Sequence, residues 1–264
     1  MTWFLIVFAV ALAASACGFK KYVWFISIGY GAAVAAIGVV LLLTFGAQAP
    51  LAACLQAALL VAYGVRLAGY LAYREVKSRT YNQKMRGEIK SNDGVGMGAR
   101  VGIWVSAALL YACETSPVLF RMGSGASTDV LLVLGLVISV FGLAFETAAD
   151  LQKSAAKRRN PRRFVDSGLY RIVRCPNYLG ELLIWTGVFV SGLGVYEGAA
   201  QWVAALAGYL GIVYVMFGGA RRLEMRQNRS YGKDPAYQAY VRSTPILIPF
   251  VPLYSVEKYT WLVA

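Results

Sequence analysis

Apolar residues fill windows at about 2–18, 22–45, 50–73, 101–120, 129–149, 179–196 and 200–219 of the chain, separated by short polar or basic stretches. Each window is close to the roughly 20 residues that a helix needs to cross hydrocarbon. The pattern predicts an all-α polytopic membrane bundle of about seven transmembrane helices, with the lipid bilayer as main solvent. Ala-Ser-Ala-Cys17 after the first window resembles a lipoprotein cleavage site, but Met-Thr-Trp-Phe ahead of it has no positive charge, so the window reads as a retained span. No internal repeat or low-complexity linker divides the chain, which reads as one membrane domain over 1–264.

Charge then orients the bundle. Of 26 Lys and Arg, two lie in the first connection, seven between residues 74 and 100, eight between 153 and 174, and seven after 220, so 24 share one face. Arg66 lies inside a helix, and Arg121 is the one basic residue at the opposite face. The positive-inside rule places the N-terminus outside and the C-terminus in the cytoplasm, as in a bacterial inner membrane. The net charge of +13 is therefore topological and ligand-directed, and does not imply nucleic acid.

Composition excludes some chemistry. The 264 residues contain no histidine, so imidazole acid–base catalysis, Ser-His pairs and His-ligated metals are ruled out. Cys17, Cys54, Cys113 and Cys175 have no metal-ligand spacing and read as small buried hydrophobes; no metal is expected. Gly94-Val-Gly96-Met-Gly98 follows no strand and reads as a flexible loop entry.

Ionisable groups at membrane depth cost several kcal/mol unless they face the bundle interior and find partners. Tyr63, Arg66, Tyr70, Arg74 and Lys77 form one stripe of the third helix. No acid precedes Glu75, so the counter-charge of Arg66 must come from a later helix or an anionic ligand. Glu146, Asp150, Lys153 and Lys157 form a stripe on the fifth helix. The sixth opens with Pro176-Asn177-Tyr178-Leu179-Gly180-Glu181, where Asn177, Glu181 and Trp185 stack by steps of four. These stripes can merely cement a bundle. Three ending on one face favour a site for an anionic ligand with several hydrogen-bonding groups.

The run Lys157-Arg158-Arg159-Asn160-Pro161-Arg162-Arg163 suits either anionic headgroups or the phosphates of a nucleotide. Asn160-Pro161 breaks the helix within the cluster, and Asp166-Ser167-Gly168-Leu169 predicts a tight turn before Tyr170-Arg171. Such punctuation points to a loop that encloses something.

Asp150, Pro161, Arg163, Gly168-Leu169-Tyr170, the motif Pro176 to Glu181, Trp185, Tyr237, Tyr240 and Leu247-Ile248-Pro249-Phe250 together resemble the C-terminal half of the steroid 5-alpha-reductase family, most closely its bacterial members. The resemblance is strong over residues 145–250, and Tyr63-Gly-Val-Arg66 with Tyr70 and Arg74 matches more weakly. It implies an integral membrane oxidoreductase, a monomer, that uses NADPH to reduce the carbon–carbon double bond of a hydrophobic enone such as a 3-oxo-delta-4 steroid. Residues 1–121 would enclose substrate, and 129–264 would bind cofactor from the cytoplasm. By resemblance, Asp150 and Arg163 lie along the adenosine and phosphate portion, Asn177 and Glu181 near the nicotinamide, and Tyr63 donates to the ketone, with Arg66 beside it. The candidate cofactor set also includes Tyr70, Arg74, Lys77, Glu146, Lys157, Arg158, Tyr170, Tyr178, Arg222, Arg226 and Tyr240. Lys157 replaces a family arginine, which keeps charge but loses the bidentate fork.

Mammalian members pair the tyrosine with a second-helix glutamate; no acid precedes Glu75 here, and Tyr30 is the residue expected to substitute. Some relatives carry histidines in the last helix, where Arg222 and Arg226 are the nearest polar groups. Tyrosine suits the task, because its reference pKa of about 10 keeps it protonated and charge grows on the ketone oxygen during hydride transfer. One rival is an isoprenylcysteine-type membrane methyltransferase using S-adenosylmethionine, whose Pro-x-Tyr-x-Gly motif is similar. That family has a histidine before the proline, where this chain has Cys175. The other is a lipid-binding or transport protein without chemistry.

Overall fold

The structure is a computed structural model that describes residues 2–77 and 95–263, apart from the side chains of Arg74, Val76 and Lys77. Among the described residues the regular structure is helical, with no strand. The α-helices are α1 (Thr2–Ser15), α2 (Ile28–Phe45), α3 (Leu51–Lys77), α4 (Met97–Gly123), α5 (Val130–Arg159), α6 (Pro176–Gly192), α7 (Gly198–Tyr231) and α8 (Pro235–Ser243). Among the described residues six segments, Thr2–Phe19, Ile28–Phe45, Leu51–Tyr73, Met97–Gly123, Val130–Arg159 and Gly198–Tyr231, are long and apolar enough to cross a membrane. By length and composition this is an integral membrane protein. Helix α6, with 17 residues, occupies the place expected for a sixth span but is shorter than those six; Pro176 starts it and Gly192 ends it.

The window expected at 22–45 is not one helix. Ala16–Phe19 and Tyr22–Ile26 are 3-10 turns, and α2 begins only at Ile28. Long-range bonds explain the break. Lys21 Nζ and Trp24 Nε1 donate to the Glu75 carboxylate at the end of α3, at 2.6 and 2.7 Å, while Phe25 packs edge-to-face on Phe19. The chain's first acid thus fixes the loop between α1 and α2.

Two compact units are present: Met1–Leu136 with Val188–Gly208, and Val137–Gly187 with Tyr209–Ala264. Helices α1 to α4 belong to the first, α8 and the tail to the second, and α5, α6 and α7 contribute to both.

In the first unit α2 and α3 meet through glycine. A Cβ at Gly31 would lie 2.7 Å from Gly64 O and Ala68 N, and one at Gly64 would collide with Gly31 O. Small residues let backbones approach where apolar lipid provides no hydrophobic drive. The other cost of lipid, an unsolvated charge, is met at the end of α4. Arg121, 1% exposed, pairs with Asp129 at 2.7 Å and donates Nε to Ser191 O at 2.9 Å, while Asp129 Oδ1 accepts from Leu132 N at 2.8 Å and caps α5. The lone basic residue of that face is therefore held in an ion pair.

In the second unit α5 and α6 also meet at glycine. A Cβ at Gly180 would sit 2.6 Å from Glu146 N. The glycine of the Pro-Asn-Tyr-Leu-Gly-Glu motif is thus explained by helix packing, and it sets the Glu146 backbone against the motif.

Replacing Gly64 by Ala should overpack the α2–α3 contact and cost about 1–3 kcal/mol. A fall of several degrees in the unfolding temperature of the detergent-solubilised protein is expected.

Candidate functional site

The loop after α5 is built by its own polar groups. Lys157 Nζ donates to Arg163 O at 2.6 Å, Pro161 O at 3.3 Å and Tyr231 OH at 3.0 Å, which folds the chain back past Asn160-Pro161. Gly168 takes φ of 62°, where a side chain is disfavoured, and Gln152 Oε1 accepts from Leu169 N at 2.8 Å. A 3-10 turn, Gly168–Arg171, follows as the turn signal predicted. Ala149, Val165 and Tyr170 form its small core.

The C-terminal segment crosses this loop. Arg174 N donates to Pro245 O at 2.8 Å and Cys175 N to Ile246 O at 2.9 Å. Beneath them Arg174 Nη2 pairs with Glu224 Oε1 at 2.8 Å, with both side chains 1% exposed. The same nitrogen donates to Tyr254 O, and Glu224 Oε2 accepts from Val256 N at 2.9 Å. One buried ion pair thereby ties α7, the entry to α6 and two points of the tail. Phe164 stacks on Tyr240, whose hydroxyl donates to Tyr170 O at 2.7 Å.

At the opening of α6 the charged residues converge. Tyr178 lies within electrostatic reach of Cys175, Glu181, Arg222 and Arg226, and Cys175 within reach of Arg174, Lys153 and Glu224. Glu146 and Glu181 are buried, at 4% and 7% exposure. Asn177 Oδ1 is buried and has no hydrogen-bond partner among the described residues. Arg222 and Arg226, both exposed on α7, thus act on Tyr178, and Lys153 acts on Cys175. Burial pushes the Cys175 thiol up to about 12, against the pull of Arg174 and Lys153, so it is a neutral thiol at physiological pH.

Sequence-selected residues therefore divide. Tyr178 lies within electrostatic reach of Glu181, Arg222 and Arg226, and Glu146 packs on Gly180 of the same motif as Asn177, with Asp150 half-buried one turn beyond Glu146 on α5. Lys157, Tyr170 and Tyr240 hold the loop and tail, and Arg163 pairs with Asp166 at 2.7 Å. Arg158 is exposed. In the first unit Tyr63, fully buried, donates to Tyr30 OH at 3.1 Å, and Tyr111 packs on Tyr30 at 4.9 Å while donating to Phe25 O at 2.8 Å. Arg66 and Tyr70 are half-buried further along α3. The side chains of Arg74 and Lys77, and the connection at 78–94 with Gly94, lie outside the described residues.

Two buried acids were not selected from sequence. Glu224, at 1% exposure, is one of few acids in the basic tail, and Glu114, at 3%, is the lone acid in the window 101–120. That isolation was the available signal.

These features describe a helical membrane protein with a candidate site at the opening of α6. The chain matches the family described as protein of unknown function DUF1295 over residues 15–244, and it belongs to that family. No curated protein and no solved structure matches it.

Removing Glu224 should strand a buried guanidinium. Glu224→Ala is expected to cost about 3–5 kcal/mol and to expose residues 244–256 to limited proteolysis. The double variant Arg174→Met with Glu224→Leu should regain most of the loss. Alkaline pH probes the same cap. Burial holds the hydroxyl of Tyr237 up to about 12, against an ordinary 10.0, and the thiol of Cys175 up to about 12, against 9.0. The unfolded chain therefore ionises first, and stability present below pH 9 should fall as pH rises towards 12. Cys175→Ala should move the onset upward in a pH series of melting curves.

Proposed function

We propose that this protein reduces the carbon–carbon double bond of a hydrophobic, steroid-like enone with NADPH, as the resemblance of residues 145–250 to the steroid 5-alpha-reductase family implies. The observation that carries the reading is the buried, partnerless Oδ1 of Asn177 one helical turn from the buried Glu181, with Arg222 and Arg226 close by. Two acceptors on one face of α6 suit the N–H2 donors of a nicotinamide carboxamide. The cations Lys153, Arg222 and Arg226, with the exposed Arg158, suit the phosphates of a dinucleotide. The residues present therefore fit the cofactor.

When bound, a dihydronicotinamide supplies the hydride that adds to the enone's beta carbon. This chain's residues do the rest. Tyr63 holds a proton at the ketone oxygen as negative charge develops there; the single hydroxyl proton that it gives to Tyr30 in the structure turns to the ketone when substrate binds. Tyr111 fixes the Tyr30 ring, so the donor keeps its aim. Arg66, one turn from Tyr63 on α3, adds positive potential along the same face. Tyr30 takes the place of the glutamate that mammalian members carry on the second helix. The surrounding apolar helices exclude water from the developing enolate. In this reading there are seven spans, with the N-terminus outside and the basic face in the cytoplasm of a bacterium, where NADPH is available; the protein works as a monomer.

Tyr63→Phe should lower enone reduction by about 10²–10³-fold, the usual effect of losing one oxyanion donor, while NADPH still raises the melting temperature. Full activity in that variant would eliminate the assignment. Asn177→Ala and Glu181→Ala should weaken the NADPH-induced shift. If S-adenosylmethionine stabilises the wild-type protein and NADPH does not, the methyltransferase reading replaces this one.

A further inference from the structure

The C-terminal tail runs back along α7. Val256 N bonds Glu224, Glu257 O accepts from Arg221 Nε at 3.0 Å, and Trp261 O accepts from Tyr214 OH at 2.9 Å. From residue 224 to residue 214 an α-helix advances ~15 Å, so the tail moves from the polar end of α7 into its apolar portion. Tyr214 continues the stripe of Val203, Leu206 and Leu210, spaced 3, 4 and 4 residues apart, the last three exposed at 66%, 39% and 60%. In a helix apolar enough to span the bilayer, that stripe is the lipid-facing one.

The tail is made for that position. Irregular backbone is tolerated at membrane depth only when its polar groups are satisfied. Tyr259 N bonds Val256 O at 3.1 Å, Thr260 N bonds Lys258 O at 3.1 Å, Leu262 N bonds Tyr259 O at 3.0 Å, and Val263 N bonds Trp261 O at 3.1 Å. Trp261 stacks on Tyr214 with its own ring 64% exposed, and Val263 is 73% exposed. Lys258 lies over the Tyr259 ring at 5.1 Å, a cation beside an aromatic belt. Large apolar side chains held open beside a lipid-facing helix meet the same solvent as that helix.

We propose that residues 257–263 form a re-entrant membrane anchor, with Trp261 and Val263 in the upper acyl region and Lys258 at the phosphates of anionic lipid. The occupant of this surface is the bilayer itself, and the anchor holds down the tail that Arg174 and Glu224 tie over the opening of α6. The proposal does not depend on the reductase reading.

The test uses the full chain in vesicles of phosphatidylcholine and phosphatidylglycerol, with Cys17→Ala and Cys54→Ser to remove the partly exposed thiols. Spin labels are placed at Val263→Cys and, as an exposed reference on α8, at Ser243→Cys. At 263 collision with oxygen should exceed collision with a water-soluble nickel chelate several-fold relative to 243. Because Val263 is exposed, the substitution does not disturb packing. Chelate access at 263 equal to that at 243 overturns the proposal, and so does protection from both reagents, which means a protein surface covers the site. Adding Tyr214→Phe should raise chelate access at 263, because it removes the hydroxyl that ties Trp261 O and Val263 N to α7.

Discussion

The pair between Arg174 and Glu224 organises the second unit. Two charges at 1% exposure are tolerable only if each finds several partners, and these do: the guanidinium meets a carboxylate and Tyr254 O, and the carboxylate also receives Val256 N. These partners lie on three separate stretches of chain. The pair therefore fixes where α7, the entry to α6 and the tail can lie, and the opening of α6 inherits its shape from them. Around that pair the cap is knit by Lys157, Gln152 and Tyr240, each bonded to backbone carbonyls or amides of the neighbouring loop.

Within the apolar helices the same requirement takes another form. Lipid gives helices no hydrophobic reason to associate, so contact depends on close backbone approach and internal polar bonds. Gly31 against Gly64 supplies the approach, and the neighbouring residues Tyr30 and Tyr63 supply the bond at 3.1 Å. The structural contact and the proposed proton donor are adjacent in sequence on both helices. Gly180 against Glu146 repeats the arrangement in the second unit, placing an acid on α5 beside the motif on α6.

Span positions were legible because twenty apolar residues can do little else, and the stripe on α5 and α6 was legible because lipid makes every polar residue conspicuous. The break at residues 16–27 was not, since it depends on Glu75 reaching Lys21 and Trp24 across more than 50 positions. Nor could sequence show that Lys157 spends its charge on loop carbonyls, or that Arg174 and Glu224, 50 residues apart, are one unit. Local periodicity reports which face of a helix is polar. Which polar groups meet is decided by tertiary packing.

The acceptors and cations at the opening of α6 are proposed to serve hydride transfer to an enone. Incubating the purified protein in nanodiscs with a 3-oxo-delta-4 steroid and NADPH deuterated at C4 of the nicotinamide tests it most directly, with mass spectrometry and NMR of the product. A saturated ketone with one deuterium at the former beta carbon is expected. Recovery of unreacted enone with no deuterium, in protein that still unfolds cooperatively, would contradict it.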